Sequence, residues 1–67
     1  MFKQGNLYRH RNAIDVDFYI SGPVNEDETH FYFRVKYWNR HYKFFHDLKQ
    51  VEVVSVKKSD CKNWSQL

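Results

Sequence analysis

Four histidines, one cysteine and eight carboxylates are the side chains from which this 67-residue chain would have to build a catalytic or metal-binding site. Their spacing assembles none. His10, His30, His41 and His46 are scattered, and Cys61 has no CxxC or Cys/His ligand spacing around it, so it reads as a reduced intracellular thiol. No Ser/His/Asp or Cys/His constellation and no glycine-rich phosphate loop can be put together from the sequence. His10 and His41 fall in turns expected at one end of the fold and would make half a metal site. Arg9, Arg11 and Arg40 beside them would repel a cation. The expectation is a binding protein without cofactor, metal or small-molecule substrate, and not an enzyme.

The chemistry that remains is basic and aromatic. "HFYFRVKYWNRHYKFF", from His30 to Phe45, contains eight aromatic residues, four Arg or Lys and no acid. Guanidinium and ammonium groups neutralise phosphates, and exposed rings stack on unpaired bases. The formal charge of the whole chain is only +3, so its distribution matters more than its total. Asn12 to Thr29 holds five acids and no Lys or Arg, a local charge of −5. The rest of the chain holds all eleven bases and the other three acids, a charge of +8.

The elements that carry these residues repeat with period two. In "AIDVDFYI", Ile14, Val16, Phe18 and Ile20 alternate with Asp15, Asp17 and Tyr19. In "THFYFRVKYW", Phe31, Phe33, Val35 and Tyr37 alternate with His30, Tyr32, Arg34, Lys36 and Trp38. Both are half-buried strands. "SGPVNEDE" between them has turn and loop chemistry and is expected to be mobile. Further strands are expected over Phe2–Tyr8 with a bend at Gly5, over "YKFF", and over "VEVVSV" with a bulge between Val53 and Val54. "HDLKQ" suits a tight or 3₁₀ turn, and "SDCKNWSQL" a helical turn that folds Trp64 back onto the body. The core should comprise Ile14, Val16, Phe18, Phe31, Phe33, Val35, Tyr37, Phe44 and Val53.

Five short antiparallel strands must curl to cover their apolar faces, so residues 1–67 are expected to form one all-β domain, a small barrel with a short C-terminal turn or helical tail. The plan of strand lengths, with a long acidic loop early and a tight turn before the last strand, resembles the SH3-like barrels of Tudor and KOW type. That resemblance spans Phe2 to Val56 and implies a binding module; no aromatic cage for methyl-lysine can be placed on it. In size and composition the chain also resembles small accessory proteins of large bacteriophages. No stretch approaches the roughly 18 apolar residues of a membrane helix. A soluble cytoplasmic protein with no membrane partner is expected.

Pairing Ile20 with Thr29 puts every apolar residue on one face, with Asp15 opposite Arg34 on the other. A turn at Asn39 and Arg40 pairs Lys36 with Lys43, a like-charge pair that a phosphate would relieve. Two Arg/His turns then converge at one end, with Glu26, Asp27 and Glu28 at the other. The expected partner-binding residues are Arg9, Arg11, Tyr32, Lys36, Trp38, Arg40, His41 and Lys43. The expected partner is nucleic acid, contacted along single strands or the backbone. The alternative is a larger protein complex, with the chain as accessory or inhibitor.

Overall fold

Two backbone positions set the limits of the first hairpin in the computed structural model, which describes residues 1–46 and 52–67. Gly5 takes φ +89°, so the chain turns there and strand β1 begins only at Leu7 (Leu7–His10). Asp15 takes φ +62°, a left-handed conformation that Asp tolerates, and β2 therefore starts at Val16 (Val16–Ile20). The first strand expected over Phe2–Tyr8 is thus displaced toward the C-terminus, and the second loses Ala13 to Asp15. Ile14, cut off from the strand, is 82% exposed instead of buried.

The remaining elements are β3 (Asn25–Glu26), β4 (His30–Asn39), β5 (Phe44–Phe45), β6 (Glu52–Lys57), a 3₁₀ helix (Lys58–Asn63) and β7 (Trp64–Gln66). The ten-residue β4 is the axis of a single antiparallel sheet. Along one edge it pairs with β2 (Val16↔Asn39 to Ile20↔Val35) and β3 (Asn25↔Tyr32). Along the other it pairs with β6 (His30↔Lys57 to Val35↔Glu52) and β5 (Trp38↔Phe45). Beyond β2 lie β1 and then β7 (Tyr8↔Gln66, His10↔Trp64).

The fold is all-β, as expected, but among the described residues the sheet has seven strands and does not close into a barrel, because β6 and β7 are not paired. The 3₁₀ helix bridges that seam, and an open groove of about 440 Å³ runs along it, lined by Val54, Val56, Lys57, Ser59 and Trp64 among others. Strand β6 runs without the expected bulge: Val54 and Val56 pair in step with Phe33 and Phe31. Val53 therefore points outward and is 62% exposed. "HDLKQ" lies almost entirely outside the described residues. The tail does form a helical turn, then a strand not anticipated from the sequence.

The core is aromatic at its centre. Phe2 lies beneath the sheet with its ring 4.9–5.5 Å from those of Tyr8, Phe31, Phe33 and Trp64. Ile20, Val35 and Val56 complete the buried cluster. The Tyr8 hydroxyl donates to the Met1 carbonyl (3.0 Å) and accepts from the Lys3 amide (2.8 Å), which pins the N-terminal segment. Phe33 and Val35 are buried as expected; Phe18, Phe31 and Tyr37 pack at the margin, and Phe44 is exposed. Burial, aided by Glu52, pushes the Tyr37 phenol up to about 12.

Both expected registers move by an even number of residues. Ile20 faces Val35 and not Thr29, because β3 occupies the near half of that β4 edge. Phe45 faces Trp38 because the hairpin loop has four residues, Arg40–Lys43, in place of two. Even shifts leave each side chain on its expected face but change its neighbours. The Asp15–Arg34 and Lys36–Lys43 pairs therefore do not form. "SGPVNEDE" is a packed edge and not a free loop: Val24 lies against the core and Gly22 is buried under the Arg34 side chain. Asp27 accepts from the Thr29 and His30 amides (2.8 and 2.7 Å) and from the Tyr32 hydroxyl (2.6 Å). The Tyr32 bond is the leading cause that holds the Asp27 carboxyl well below the usual range.

Candidate nucleic-acid interface

The strand registers sort the described side chains onto two faces. The inner face holds the core. The outer face carries Arg9, Arg34, Lys36 and Lys57, with Tyr19, Tyr32, Trp38 and Phe45 among them. Its one strand-borne acid among the described residues is Asp17, and that carboxylate is sealed from solvent at 1% exposure.

Two arginines seal it. Arg9 Nε and Nη2 donate to Asp17 Oδ1 and Oδ2 at 2.8 and 3.1 Å, a fork that matches the carboxylate. Arg40 Nη1 donates to Oδ1 at 2.6 Å, and its Nη2 donates to the Ala13 carbonyl at 3.1 Å. Burial pushes the Asp17 carboxyl up, but the bonds and charges of the two guanidiniums outweigh it and hold it below the usual range. The trio has a net charge of +1. The two Arg-bearing turns do converge, as the topology implied, since Val16 pairs with Asn39 and the Arg40 amide donates to the Asp15 carbonyl (3.0 Å).

Beside the trio lies an aromatic strip. The Phe45 ring crosses β4 and stands edge-on to Trp38 (4.8 Å) and Tyr19 (5.8 Å). Lys36 sits exposed next to it, opposite Tyr19. The hairpin beyond is shaped by Asn39, whose Oδ1 accepts from the His41 and Tyr42 amides (3.0 and 2.9 Å). Lys43 closes the loop with φ +59°, donating its amide to the Asn39 carbonyl (2.7 Å). His41, Tyr42, Lys43, Phe44 and Phe45 are all exposed, Tyr42 to 73%.

The expected site is therefore reassembled. Arg9, Lys36, Trp38 and Arg40 share one surface, with His41 and Lys43 on the adjoining loop. Arg11 leans the other way, its Nη1 within 3.5 Å of Asn63 Oδ1. Tyr32 belongs to the acidic end through Asp27 and stacks on His30 (5.9 Å between centroids). The charge separation is also weaker than the composition implied: Asp15 and Asp17 lie at the basic end, and Lys58 sits at 2.6 Å from Glu26 at the acidic one. What sequence reasoning missed is Asp17. An alternating Asp looks solvated, and only the arginines in both flanking turns hinted otherwise.

His10 is occupied structurally. The Asn12 amide donates to its Nδ1 (3.1 Å), which makes Nε2 the protonated nitrogen, donating to Asp60 (3.1 Å). Asp60 also accepts from Asn63 and Trp64, and the Asn63 bond is the first cause of its lowered carboxyl pKa. Among the described residues no group of three His, Cys, Asp or Glu is placed to hold a metal ion. No helix among them is long and apolar enough to cross a membrane.

Comparison with protein-family models, curated proteins and solved structures returns no match to this chain. The outer face and its loop are left to speak through their own chemistry.

Proposed function

We propose that the chain is a nucleic-acid-binding module that holds single strands against the outer face of its sheet. The observation that carries this reading is the pairing of the Tyr19–Phe45–Trp38 strip with Lys36 and the Arg9–Arg40 pair, on a face whose only strand-borne acid among the described residues is buried. Asp17 leaves a net positive charge there and fixes two guanidiniums that would otherwise be mobile. Rings supply sequence-tolerant stacking and the bases supply phosphate neutralisation. The deciding experiment is a titration with single-stranded oligonucleotide at two salt concentrations. Binding should fall steeply with salt, Lys36→Glu should weaken it without unfolding the protein, and Trp38→Ala should cost roughly 1–3 kcal/mol. No binding at low salt would end the reading.

A second reading has its own observation. Tyr42, Phe44 and Phe45 crowd an exposed hairpin, and large exposed aromatics are the residue types that anchor protein interfaces. On that reading the chain is an accessory or inhibitor module, the role that its likeness in size and composition to small phage proteins suggests. Its binding would resist salt and be lost in Tyr42→Ala.

A further inference from the structure

We propose that the bound strand runs lengthwise along β4 and that Arg34, near the acidic end of the face, takes the last phosphate of a track about three to four nucleotides long. This rests on the nucleic-acid reading and specifies the path, the footprint and one more binding residue.

Arg34, Lys36 and Trp38 are every second residue of one strand, on its outer face, with Arg40 next in sequence step. Alternate residues of a strand are about 6.8 Å apart. A nucleotide has six backbone bonds per repeat, as two amino-acid residues do, so an extended polynucleotide and a β-strand advance in nearly the same steps. Phosphates laid along β4 would meet Arg34, then Lys36, then the Arg9–Arg40 pair, with Trp38 and Phe45 offered to the bases between.

Three observations make Arg34 part of that track. Its stem is packed over Gly22, where an added Cβ would meet Arg34 Cδ at 3.2 Å, so the side chain is braced on the sheet and not free in solvent. Its guanidinium takes part in none of the ion pairs among the described residues. A recess of about 370 Å³ opens beside it, walled by Pro23, Tyr32 and Val53, which is room for one nucleoside and gives the exposed Val53 a use. The track stops there because Asp27, bonded to the Tyr32 hydroxyl, lies next beyond Arg34. A phosphate further along would face this carboxylate.

The test uses oligothymidylates from two to eight nucleotides long. Affinity should climb steeply to about four nucleotides and then rise only as overlapping registers allow. Three phosphate contacts predict a slope of log K against log salt of about −2, at about 0.7 per contact. Arg34→Gln keeps the stem over Gly22; it should lower affinity severalfold and flatten the slope by about 0.7. Arg34→Lys should restore the slope. Circular dichroism checks folding, and an arginine-modifying dicarbonyl on the unmutated protein provides an independent readout. Bound oligonucleotide should shield Arg34 from the reagent. If oligonucleotide binds while Arg34 stays reactive and Arg34→Gln leaves affinity and slope unchanged, the track is wrong and the nucleic-acid reading stands. If no oligonucleotide binds at low salt, both fall.

Discussion

Asp17 and Arg40 meet at 2.6 Å across the start of β2 and the turn after β4, and this contact ties two chain segments that lie 23 residues apart. With Arg9 it makes a three-member ionic knot on the outer face of the sheet. Removing the carboxylate would leave two guanidiniums side by side with no anion between them. Cutting one partner from a buried ion pair costs about 3–5 kcal/mol. The arginine side chains are 43% and 30% exposed, so solvent would absorb part of that, and Asp17→Ala should cost about 1–3 kcal/mol by denaturant unfolding. An unchanged midpoint would show that the knot holds nothing together. Charge reversal at Arg40 would place two carboxylates in one site, so it tests the fold as much as any partner contact.

Acid should undo the fold from three points at once. Asp17, Asp27 and Asp60 all have carboxyl pKa values below the ordinary one in the folded chain. A group whose folded pKa is depressed stabilises the fold above its unfolded pKa, near 3.9, and loses that contribution as pH falls toward the folded value. Stability should therefore be level from neutral pH down to about 5 and decline below about 4. Asp27→Asn should shallow the decline. The check is unfolding followed at a series of pH values, and a profile flat to pH 3 would contradict these three sites together.

The aromatic core makes a sharper distinction than hydrophobicity does. Phe2→Ala should cost about 3–5 kcal/mol, since the ring is buried among four others. Phe33→Ala should cost a similar amount. Ile14→Ser and Val53→Ser, equally drastic on paper, should change stability by less than about 0.5 kcal/mol because both side chains face solvent. Thermal melts of the four variants would separate the two pairs.

Faces were legible in the chain because the period of two survives any even slip. Phe31, Phe33 and Val35 are read correctly whether Ile20 pairs with Thr29 or with Val35. Neighbours were not legible, because they depend on backbone that alternation does not encode. The left-handed Asp15 shortens β2, and the two-residue β3 is too brief to show a pattern. β7 is hidden in "WSQ", where Trp64 marks burial but nothing marks a strand. Of the site, the basic-aromatic character of β4 was readable and the converging turns followed from antiparallel pairing. That Arg9 and Arg40 are already engaged with Asp17 was not, since a buried carboxylate and a solvated one look alike in an alternating strand.

Lys43 offers a test in which stability and binding move in opposite directions. Its φ of +59° is uncommon for a residue with a side chain, and it is held there because the hairpin needs its amide on the Asn39 carbonyl. Left-handed backbone costs such a residue about 1–2 kcal/mol relative to glycine, offset in part by the greater freedom of glycine in the unfolded chain. Lys43→Gly should therefore stabilise the protein by about 0.5–1 kcal/mol in denaturant unfolding. Lys43→Val, with a branched side chain in the same conformation, should destabilise it. If the loop also lies over a bound strand, Lys43→Gly removes a positive charge from the interface while tightening the hairpin, so oligonucleotide affinity should fall modestly as the melting temperature rises. A fall in both would mean that the side chain, and not the backbone, is what the loop requires at this position.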